Sequence, residues 1–353
     1  MAPEPHDTSS SQPQNIALLG STGFLGPYIV VALLRKHSHY NSILNSHSRL
    51  GLITTDITKP DLGLNEADHR LILSNVDEIV FNAWNPNWGI PLKSFEPLLG
   101  ALSSAIEISR ASPRRPRITF MSSTCSIAEW PRQHPTQPLY PELPAWDEAS
   151  VTDNGYGKSK YQAEQLLAHA HTEHGLRVAI VRAGNIGGPS RSAVGPTDWP
   201  IQGWLFVVIK TSQRLGYWPT HINALDWIPV DTLAAGIANI TGTQPDNSEA
   251  KVYNMMHPDP APWSMLYNTL TDKFGLVAEE MRLPVWLDLL DPVKFKMHAF
   301  FRGAGEGREE ESKVFENANA LGVFPDVERI TAEQLEVWMK RWDLRLGEMR
   351  AKI

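Results

Sequence analysis

The chain has 353 residues with a formal net charge of -7, and Cys125 is its one cysteine. This length suits one large α/β domain with a smaller domain beside it. The acidic balance and the lack of a basic stripe argue against nucleic acid as a partner. A single cysteine rules out a disulfide framework, so we expect a reducing, cytoplasmic setting. The longest apolar run of the first half, Tyr28–Leu34, is too short to span a bilayer, and no membrane partner is expected.

Residues 1–14 carry polar side chains and three prolines, and they lack the apolar core of a signal peptide. We expect a disordered arm there. Asn15–Leu19 is an apolar run of strand length that ends at Gly20, and Phe24–Lys36 then has helical spacing. This order of strand, glycine turn and helix is typical of the start of a nucleotide-binding βαβ unit.

Apolar runs of the buried type alternate with helical segments through the next part of the chain. The predicted strands are Leu50–Thr54, Glu78–Asn82, Arg117–Met121 and Val178–Arg182, and the clearest crossover helices are Ser103–Arg110 and Tyr156–His171. Near-continuous apolar strands separated by helices predict an α/β fold, a Rossmann-like doubly wound parallel sheet with helices on both faces.

The sequence changes character near residue 190, after which tryptophans and prolines are scattered among short helical stretches. We therefore predict an NAD(P)-binding Rossmann domain at 15–190 and a smaller, mostly helical C-terminal substrate-binding domain at 191–353. The segment 251–255 (KVYNM) is expected to return to the main sheet as a further strand. The tryptophans of 199–227 either line an acyl pocket or form the core of the second domain.

The segment Gly20–Gly26 (GSTGFLG) has the spacing G-x-x-G-x-x-G. Gly20 permits the tight turn, Gly23 lets the backbone approach a pyrophosphate, and Gly26 lets the helix pack close to the sheet. The start of the helix offers free N–H groups and the positive end of its dipole to the phosphates. A glycine-rich turn without a ligand is the alternative, but the strand before the motif and the helix after it favour a dinucleotide site.

Tyr156 and Lys160 lie four residues apart near the start of a predicted helix, so their side chains project from the same face. A free phenol has a pKa of about 10 and is a poor acid–base group at neutral pH. A nearby ammonium group favours the phenolate, so we expect Lys160 to lower the pKa of Tyr156. Lys160 could also reach the ribose hydroxyls of a nicotinamide nucleotide. The alternative is an isolated surface pair that matches Y-x-x-x-K by chance.

A hydroxyl cluster follows the predicted strand Arg117–Met121. One of these hydroxyls is expected to bind a substrate carbonyl oxygen, and Ser123 is favoured, with Ser122 or Thr124 as the alternatives. Strand-end hydroxyls also commonly bond loop backbone groups, which is the other interpretation.

No metal site is expected. His169, His171 and His174 do not share one helix face, and no acidic or cysteine ligands complete them. Cys125 lacks a base partner in the sequence, so we expect a packed thiol.

A set of longer motifs resembles the terminal thioester reductase domain of fungal nonribosomal-peptide-synthetase-like enzymes and polyketide–peptide hybrids. The same domain type closes carboxylic acid reductases and belongs to the extended short-chain dehydrogenase/reductase superfamily. The motifs are GSTGFLG at Gly20–Gly26, TDITKPDLGL at Thr55–Leu64, FNAW at Phe81–Trp84, SFEP at Ser94–Pro97, FMSSTCSIAEW at Phe120–Trp130, GYGKSKYQAE at Gly155–Glu164, VRAGNIGGP at Val181–Pro189, DWIPVD at Asp226–Asp231 and VYNMMHPDPAPW at Val252–Trp263. The resemblance covers almost everything after Asn15.

The resemblance implies a role for each matching position. The implied cofactor contacts are Gly20, Ser21, Thr22, Gly23, Phe24 and Leu25 at the pyrophosphate, Asp56 and Ile57 at the adenine, Asn82 and Ala83 near the riboses, and Asn185 and Ile186 at the nicotinamide. Ser123, Tyr156 and Lys160 would form the catalytic set, with Lys160 also contacting the cofactor.

The function that the resemblance implies is reductive release in fungal-type secondary metabolism. NADPH, or NADH as the alternative, would deliver hydride to an acyl thioester on the phosphopantetheine arm of a carrier protein, or to the derived aldehyde. Tyr156 would protonate the developing oxyanion. A redox-independent Dieckmann-type cyclase and a non-catalytic dinucleotide-binding protein are the alternatives, and retention of the Ser–Tyr–Lys set argues against both. Whether the chain is free-standing or an excised domain stays open.

One departure from the family concerns the adenine side of the site. Asn41–Asn45 (NSILN) could be the second strand, but four residues separate it from Leu50, and a parallel crossover needs a dozen or more. Family members place an arginine just after this strand, where this chain has Ser46. We therefore expect the wall that recognises the adenosine 2′-phosphate to be curtailed.

Overall fold

The computed structural model describes residues 15–36, 50–193, 199–220, 222, 225–241, 243, 250–291, 295, 298, 301–302, 315–324 and 326–346. The predicted arm at 1–14 and the predicted strand Asn41–Asn45 lie outside the described residues. Within the described residues, no helix has the length and apolar character needed to cross a membrane.

A five-stranded parallel sheet forms the centre of the molecule, with the spatial order β1-β2-β3-β4-β8. The strands of the described residues are β1 (Ile16–Leu19), β2 (Glu78–Phe81), β3 (Arg117–Ser123), β4 (Val178–Ala183), β5 (Ile186–Gly187), β6 (Tyr217–Thr220), β7 (Ile228–Pro229), β8 (Lys251–Met255) and β9 (Glu279–Arg282). Strand β8 pairs in parallel with β4, which confirms the predicted return of 251–255 to the main sheet. Two small parallel pairs, β5 with β7 and β6 with β9, lie outside this sheet.

The predicted strand Leu50–Thr54 is wrong. The structure gives this segment no strand pairing, and Leu52 is 89% exposed. Among the described residues, β1 pairs only with β2. The run was predicted from its apolar content, but apolar content does not supply a neighbouring strand, and without one the segment stays in solvent.

Helices cover both faces of the main sheet, as the sequence predicts. The helices of the described residues are α1 (Gly26–Lys36), α2 (Glu66–Asn75), α3 (Glu96–Ala111), α4 (Trp130–Gln133), α5 (Gly155–His174), α6 (Gly203–Leu215), α7 (Val230–Thr241), α8 (Trp263–Phe274), α9 (Leu283–Asp288), α10 (Ala318–Leu321) and α11 (Ala332–Met339). Helices α3 and α5 pack on one face, where Phe120 of β3 is buried. Helices α1 and α7 pack on the other, where the next residue, Met121, is buried. This alternation along β3 gives the doubly wound Rossmann-like fold.

The position of α5 is set at both of its ends. The Asn154 side chain accepts a hydrogen bond from the Gly157 N–H at 2.7 Å and caps the N-terminus. Gly175 ends the helix in the left-handed region with φ +62°. Helix α5 therefore begins one residue before Tyr156, which places that side chain at the edge of the sheet where the strands end.

A third apolar cluster lies in the C-terminal half and contains most of the tryptophans. Trp199, Trp218 and Trp227 are 4%, 0% and 2% exposed, and all three pack inside this cluster. The Trp199 indole N–H donates to the Ile186 carbonyl at 3.2 Å. The burial of these three tryptophans favours the second interpretation of 199–227, a core. Of the four tryptophans there, only Trp204 is partly exposed. The division of the chain at residue 190 stays a prediction.

Candidate active site

The glycine loop between β1 and α1 is packed so closely that side chains are excluded at two positions. Gly20 has φ +84°, and a Cβ there would lie 2.8 Å from the Ala83 nitrogen. A Cβ at Gly26 would lie 2.3 Å from the Gly20 carbonyl oxygen. The Asn82 side chain donates to that same oxygen at 3.1 Å. Asn82 and Ala83, which follow β2, therefore brace the loop that follows β1.

Gly23 differs from the other two glycines because the space beside it is open. The nearest atom to a Cβ built at Gly23 is the Gly20 carbonyl oxygen, 3.7 Å away. Thr22 and Gly23 are exposed, whereas Leu25 is buried in the sheet core. The loop leads into the first turn of α1, whose N–H groups lack partners within the helix. An open glycine at a helix N-terminus fits the pyrophosphate of a dinucleotide.

Asp56 and Ile57 lie in the loop that precedes α2. The Asp56 carboxylate accepts hydrogen bonds from the hydroxyl and the N–H of Thr58, at 2.6 and 3.1 Å. The pKa of Asp56 lies below its usual value mainly because of these hydrogen bonds. Ile57 packs against the sheet core while Asp56 stays exposed. A contact of this pair with adenine stays a prediction.

Ser123 and Tyr156 meet where the end of β3 faces the start of α5. The Ser123 hydroxyl accepts a hydrogen bond from the Cys125 N–H at 3.2 Å, and it lies beside the Tyr156 phenol. Burial raises the pKa of Tyr156 above its usual value, and the polar Ser123 hydroxyl opposes this only in part. The expectation that Lys160 lowers this pKa is wrong for the cofactor-free protein, because loss of hydration outweighs the charge nearby. At neutral pH the phenol keeps its proton.

The neighbouring hydroxyl of Ser122 faces away from the site. Ser122 is 5% exposed, and its hydroxyl donates to the carboxylate of Glu164. Successive side chains of a strand point to opposite faces, so Ser122 and Ser123 cannot both face Tyr156. Of the serines at the strand end, Ser123 is the one that lies beside the phenol.

Lys160 is buried beneath the site, one helical turn after Tyr156. It is 3% exposed, and its ammonium group donates to the Met121 carbonyl of β3. Its Nζ atom lies 4.5 Å from the centre of the Trp84 ring, 4.6 Å from that of Phe120 and 5.8 Å from that of Tyr156. Burial holds the pKa of Lys160 well below its usual range.

Sequence reasoning missed the aromatic side chains around this pair. Trp88 stacks on Tyr156 with ring centres 6.3 Å apart, and Phe95 meets the same ring edge-on at 6.3 Å. The loop that carries Trp84 and Trp88 packs against the start of α5, where a Cβ at Gly155 would lie 2.3 Å from the Ile90 oxygen. The motif FNAW was a usable signal, since it follows β2 directly and the ends of parallel strands meet at one edge.

Asn185 and Ile186 follow the end of β4, at the same edge of the sheet. The Asn185 carbonyl accepts a hydrogen bond from the Ile228 N–H at 3.1 Å, and Ile186 pairs with Ile228 in the small β5–β7 sheet. Asn185 is exposed to solvent, whereas Gly187 is buried. The structure therefore brings the glycine loop, the residues after β2, Ser123, Tyr156 and the residues after β4 to one edge. In the described part of the chain, no group of three or more potential ligands could hold a metal ion.

The fold and the grouping of these residues define a Rossmann-like dinucleotide-binding domain. A family model described as "Male sterility protein", for an NAD-binding domain, matches residues 39–237, more than half of the chain. The protein belongs to this family.

Curated relatives of the chain are much longer enzymes. The adenylate-forming reductase Nps10 of Heterobasidion annosum is 29% identical over 81% of this chain and 28% of its own length. A carboxylic acid reductase of Neurospora crassa is 24% identical over 94% of this chain and 35% of its own length. The chain thus spans about a third or less of the length of the curated relatives that it matches.

Solved structures share the fold over almost the whole chain. The terminal R domain from the myxalamid PKS-NRPS biosynthetic pathway has a TM-score of 0.70, with 19% identity over 98% of this chain and 94% of its own. A thiolation-reductase di-domain from an archaeal non-ribosomal peptide synthetase has a TM-score of 0.71, with 18% identity over 94% of this chain and 76% of its own. These similarities agree with the family that the sequence motifs resemble.

Proposed function

We propose that the protein reduces an acyl thioester carried on a phosphopantetheine arm, or the aldehyde derived from it, with NADPH as the electron donor. The observation that carries this proposal is that the Ser123 hydroxyl lies beside the Tyr156 phenol at the edge where the glycine loop lies. A reductase needs a protonated donor beside the carbonyl oxygen, and the raised pKa of Tyr156 keeps that proton in place.

The chemistry divides between the cofactor and the chain. When bound, NADPH supplies the hydride that adds to the carbonyl carbon. The Ser123 hydroxyl donates a hydrogen bond to the carbonyl oxygen, and Tyr156 gives that oxygen its proton as negative charge develops. A reduced thioester is a hemithioacetal, which expels the thiol and leaves an aldehyde. Lys160 carries the positive charge that stabilises the tyrosinate left behind and can reach the ribose hydroxyls.

The comparisons support the substrate and partner without deciding them. Relatives of the chain are named as an adenylate-forming reductase and a carboxylic acid reductase, and a structural neighbour joins a reductase to a thiolation domain. A thioester presented by a carrier protein is therefore the substrate class we infer. From the same comparisons we infer NADPH as the cofactor, with NADH as the alternative.

Two other functions on the same fold are less well supported. A redox-independent cyclase of the Dieckmann type needs no proton-donating phenol beside a strand-end serine, and a non-catalytic dinucleotide-binding protein needs neither group. Here both groups are in contact. This contact favours the reductase.

The test follows the absorbance of reduced nicotinamide with three substrates: an acyl pantetheine thioester, the matching free aldehyde, and the matching carboxylic acid as a control. The reductase should consume reduced cofactor with the thioester or the aldehyde and leave the acid untouched. An acyl pantetheine thioester that is consumed without any loss of reduced nicotinamide would support the cyclase instead. Cofactor binding without turnover of any carbonyl substrate would support the non-catalytic protein.

A further inference from the structure

The indole ring of Trp84 is fixed in one orientation beneath the candidate site. It stacks on Phe95 with ring centres 6.4 Å apart and an angle of 18°, and it meets the Phe120 ring edge-on at 5.3 Å. Its N–H donates to the Ser159 hydroxyl at 3.2 Å, and that hydroxyl donates to the Tyr156 carbonyl at 2.7 Å. The indole is therefore held by the turn before α3, by β3 and, through its N–H group, by α5.

The ammonium group of Lys160 lies over this ring, 4.5 Å from its centre. An ammonium group that is removed from water loses its hydration, and the Met121 carbonyl replaces only part of it. The face of an aromatic ring carries negative potential, and indole has the strongest face of the three aromatic side chains. Removal of water strengthens that attraction, because the surroundings have a low dielectric constant.

We propose that Trp84 is a positioning residue that holds the Lys160 ammonium group charged and in place below Tyr156. The catalytic role of Lys160 rests on the proposed function. The contact between Lys160 and Trp84 does not, because it is present without cofactor. Trp84 contacts the ammonium group through its ring face.

Other charged and titratable groups also act on Lys160 and must be separated from Trp84. Glu164, one turn further along α5, and Cys125, in the turn after β3, both raise the pKa of Lys160. The carboxylate of Glu164 is shared with Arg182, which neutralises part of its field. Tyr156 is protonated at neutral pH and adds no charge. Glu164 and Cys125 act on Lys160 through their charge, whereas Trp84 acts through its ring face, so a change at position 84 removes a different contribution.

The primary test measures the titration of the Lys160 side chain by NMR in cofactor-free protein labelled with ¹³C-lysine, with the signal assigned by Lys160→Arg. Trp84→Leu should raise the acid dissociation constant of Lys160 about tenfold, and Trp84→Phe by less, because benzene has a weaker face than indole. Trp146→Leu is the matched control, since Trp146 is an exposed tryptophan that packs on His169 of the same helix. It should leave the Lys160 titration unchanged.

A second variant keeps the test valid if Trp84→Leu does not fold. Fluorinated tryptophan placed at position 84 alone keeps the shape and the N–H group but weakens the negative face of the ring. The acid dissociation constant of Lys160 should rise with each added fluorine. The proposal would be overturned if the acid dissociation constant of Lys160 in the folded fluorinated protein, or in folded Trp84→Leu, equals that of the wild type. A variant that loses thermal stability without any change in this constant would also overturn it.

The pH profile of turnover separates this proposal from the proposed function. In Trp84→Leu, the alkaline limit of kcat should move to lower pH by the same factor as the Lys160 titration. If wild-type protein reduces no carbonyl substrate, the proposed function fails, while the NMR titration still decides the role of Trp84. If turnover is present and its alkaline limit does not move, the proposal for Trp84 fails and the reductase stands.

Discussion

The carboxylate of Glu164 lies 2.6 Å from the guanidinium group of Arg182, and neither side chain is exposed to solvent. The same carboxylate accepts hydrogen bonds from the hydroxyls of Ser122 and Ser126, the second at 2.7 Å. The pair therefore joins α5 to β4 and to the end of β3. Because Ser123 follows Ser122 directly, this buried pair fixes the distance between the strand-end hydroxyl and the helix that carries the phenol.

Arg182→Met should destabilise the protein by about 3–5 kcal/mol, because it leaves the Glu164 carboxylate buried without its counter-charge. Urea unfolding followed by circular dichroism measures this loss. Arg182→Met combined with Glu164→Leu should recover much of the stability, since the isolated charge is then removed.

The control for this measurement is an exposed ion pair. Arg70 and Glu66 form an i, i+4 pair on α2, with side chains 67% and 83% exposed. Arg70→Met should cost about 0.5 kcal/mol or less. Equal losses for Arg182→Met and Arg70→Met would contradict the role given to the buried pair.

Tyr156→Phe should lower kcat by about a hundred- to ten-thousand-fold while cofactor affinity stays near that of the wild type. The phenol transfers a proton, whereas the glycine loop holds the dinucleotide. Steady-state kinetics and calorimetric titration of the cofactor measure the two effects separately. Tyr161→Phe, five residues further along the same helix, is the control and should leave turnover unchanged. Near-wild-type turnover of Tyr156→Phe would remove Tyr156 from the mechanism.

Lys160→Ala should weaken turnover and cofactor affinity together, because the proposed role of Lys160 includes contact with both the phenol and the ribose. Calorimetric titration beside steady-state kinetics checks this difference from Tyr156→Phe. An unchanged cofactor affinity in Lys160→Ala would show that Lys160 acts only on the phenol.

Two glycines of the loop should respond differently to the same substitution. Gly26→Ala should lower the thermal stability, because its Cβ would lie 2.3 Å from the Gly20 oxygen and the helix would have to move. Gly23→Ala has open space in the cofactor-free protein, so it should keep its stability and lose cofactor affinity. Gly100→Ala, in α3 with no atom within 4 Å of the added Cβ, is the control for both measurements. Undiminished cofactor affinity in Gly23→Ala would place the pyrophosphate elsewhere.

The sequence predicts the glycine loop and the Tyr156–Lys160 pair, but it does not predict the aromatic contacts around that pair. The glycine spacing and the Tyr156–Lys160 spacing depend on local geometry, so they can be recognised along the chain. The contact of Lys160 with Trp84 joins residues 76 positions apart and depends on how two strands and two helices pack. The tryptophans near residue 200 were ambiguous for the same reason, since an aromatic cluster suits a core as well as a pocket. Leu50–Thr54 shows that an apolar run without a partner strand does not become buried.

The last prediction concerns the adenosine side of the cofactor. The segment in which family members carry the second strand and its arginine, including Ser46 and Arg49, lies outside the described residues. In the part that the structure describes, β1 pairs only with β2, and the Leu50–Thr54 segment forms no strand beside it.

A shortened wall there should recognise the 2′-phosphate poorly, because an arginine fork on phosphate is a strong, charge-assisted contact. We therefore expect weak binding and little discrimination between NADPH and NADH. Calorimetric titration with both cofactors measures this. The variants Arg49→Ala, His47→Ala and Arg35→Ala test the remaining cations against the control Lys93→Ala. Tight binding of NADPH with a large preference over NADH, lost in Arg49→Ala, would show that Arg49 rebuilds the phosphate site and that the curtailed wall is a wrong expectation.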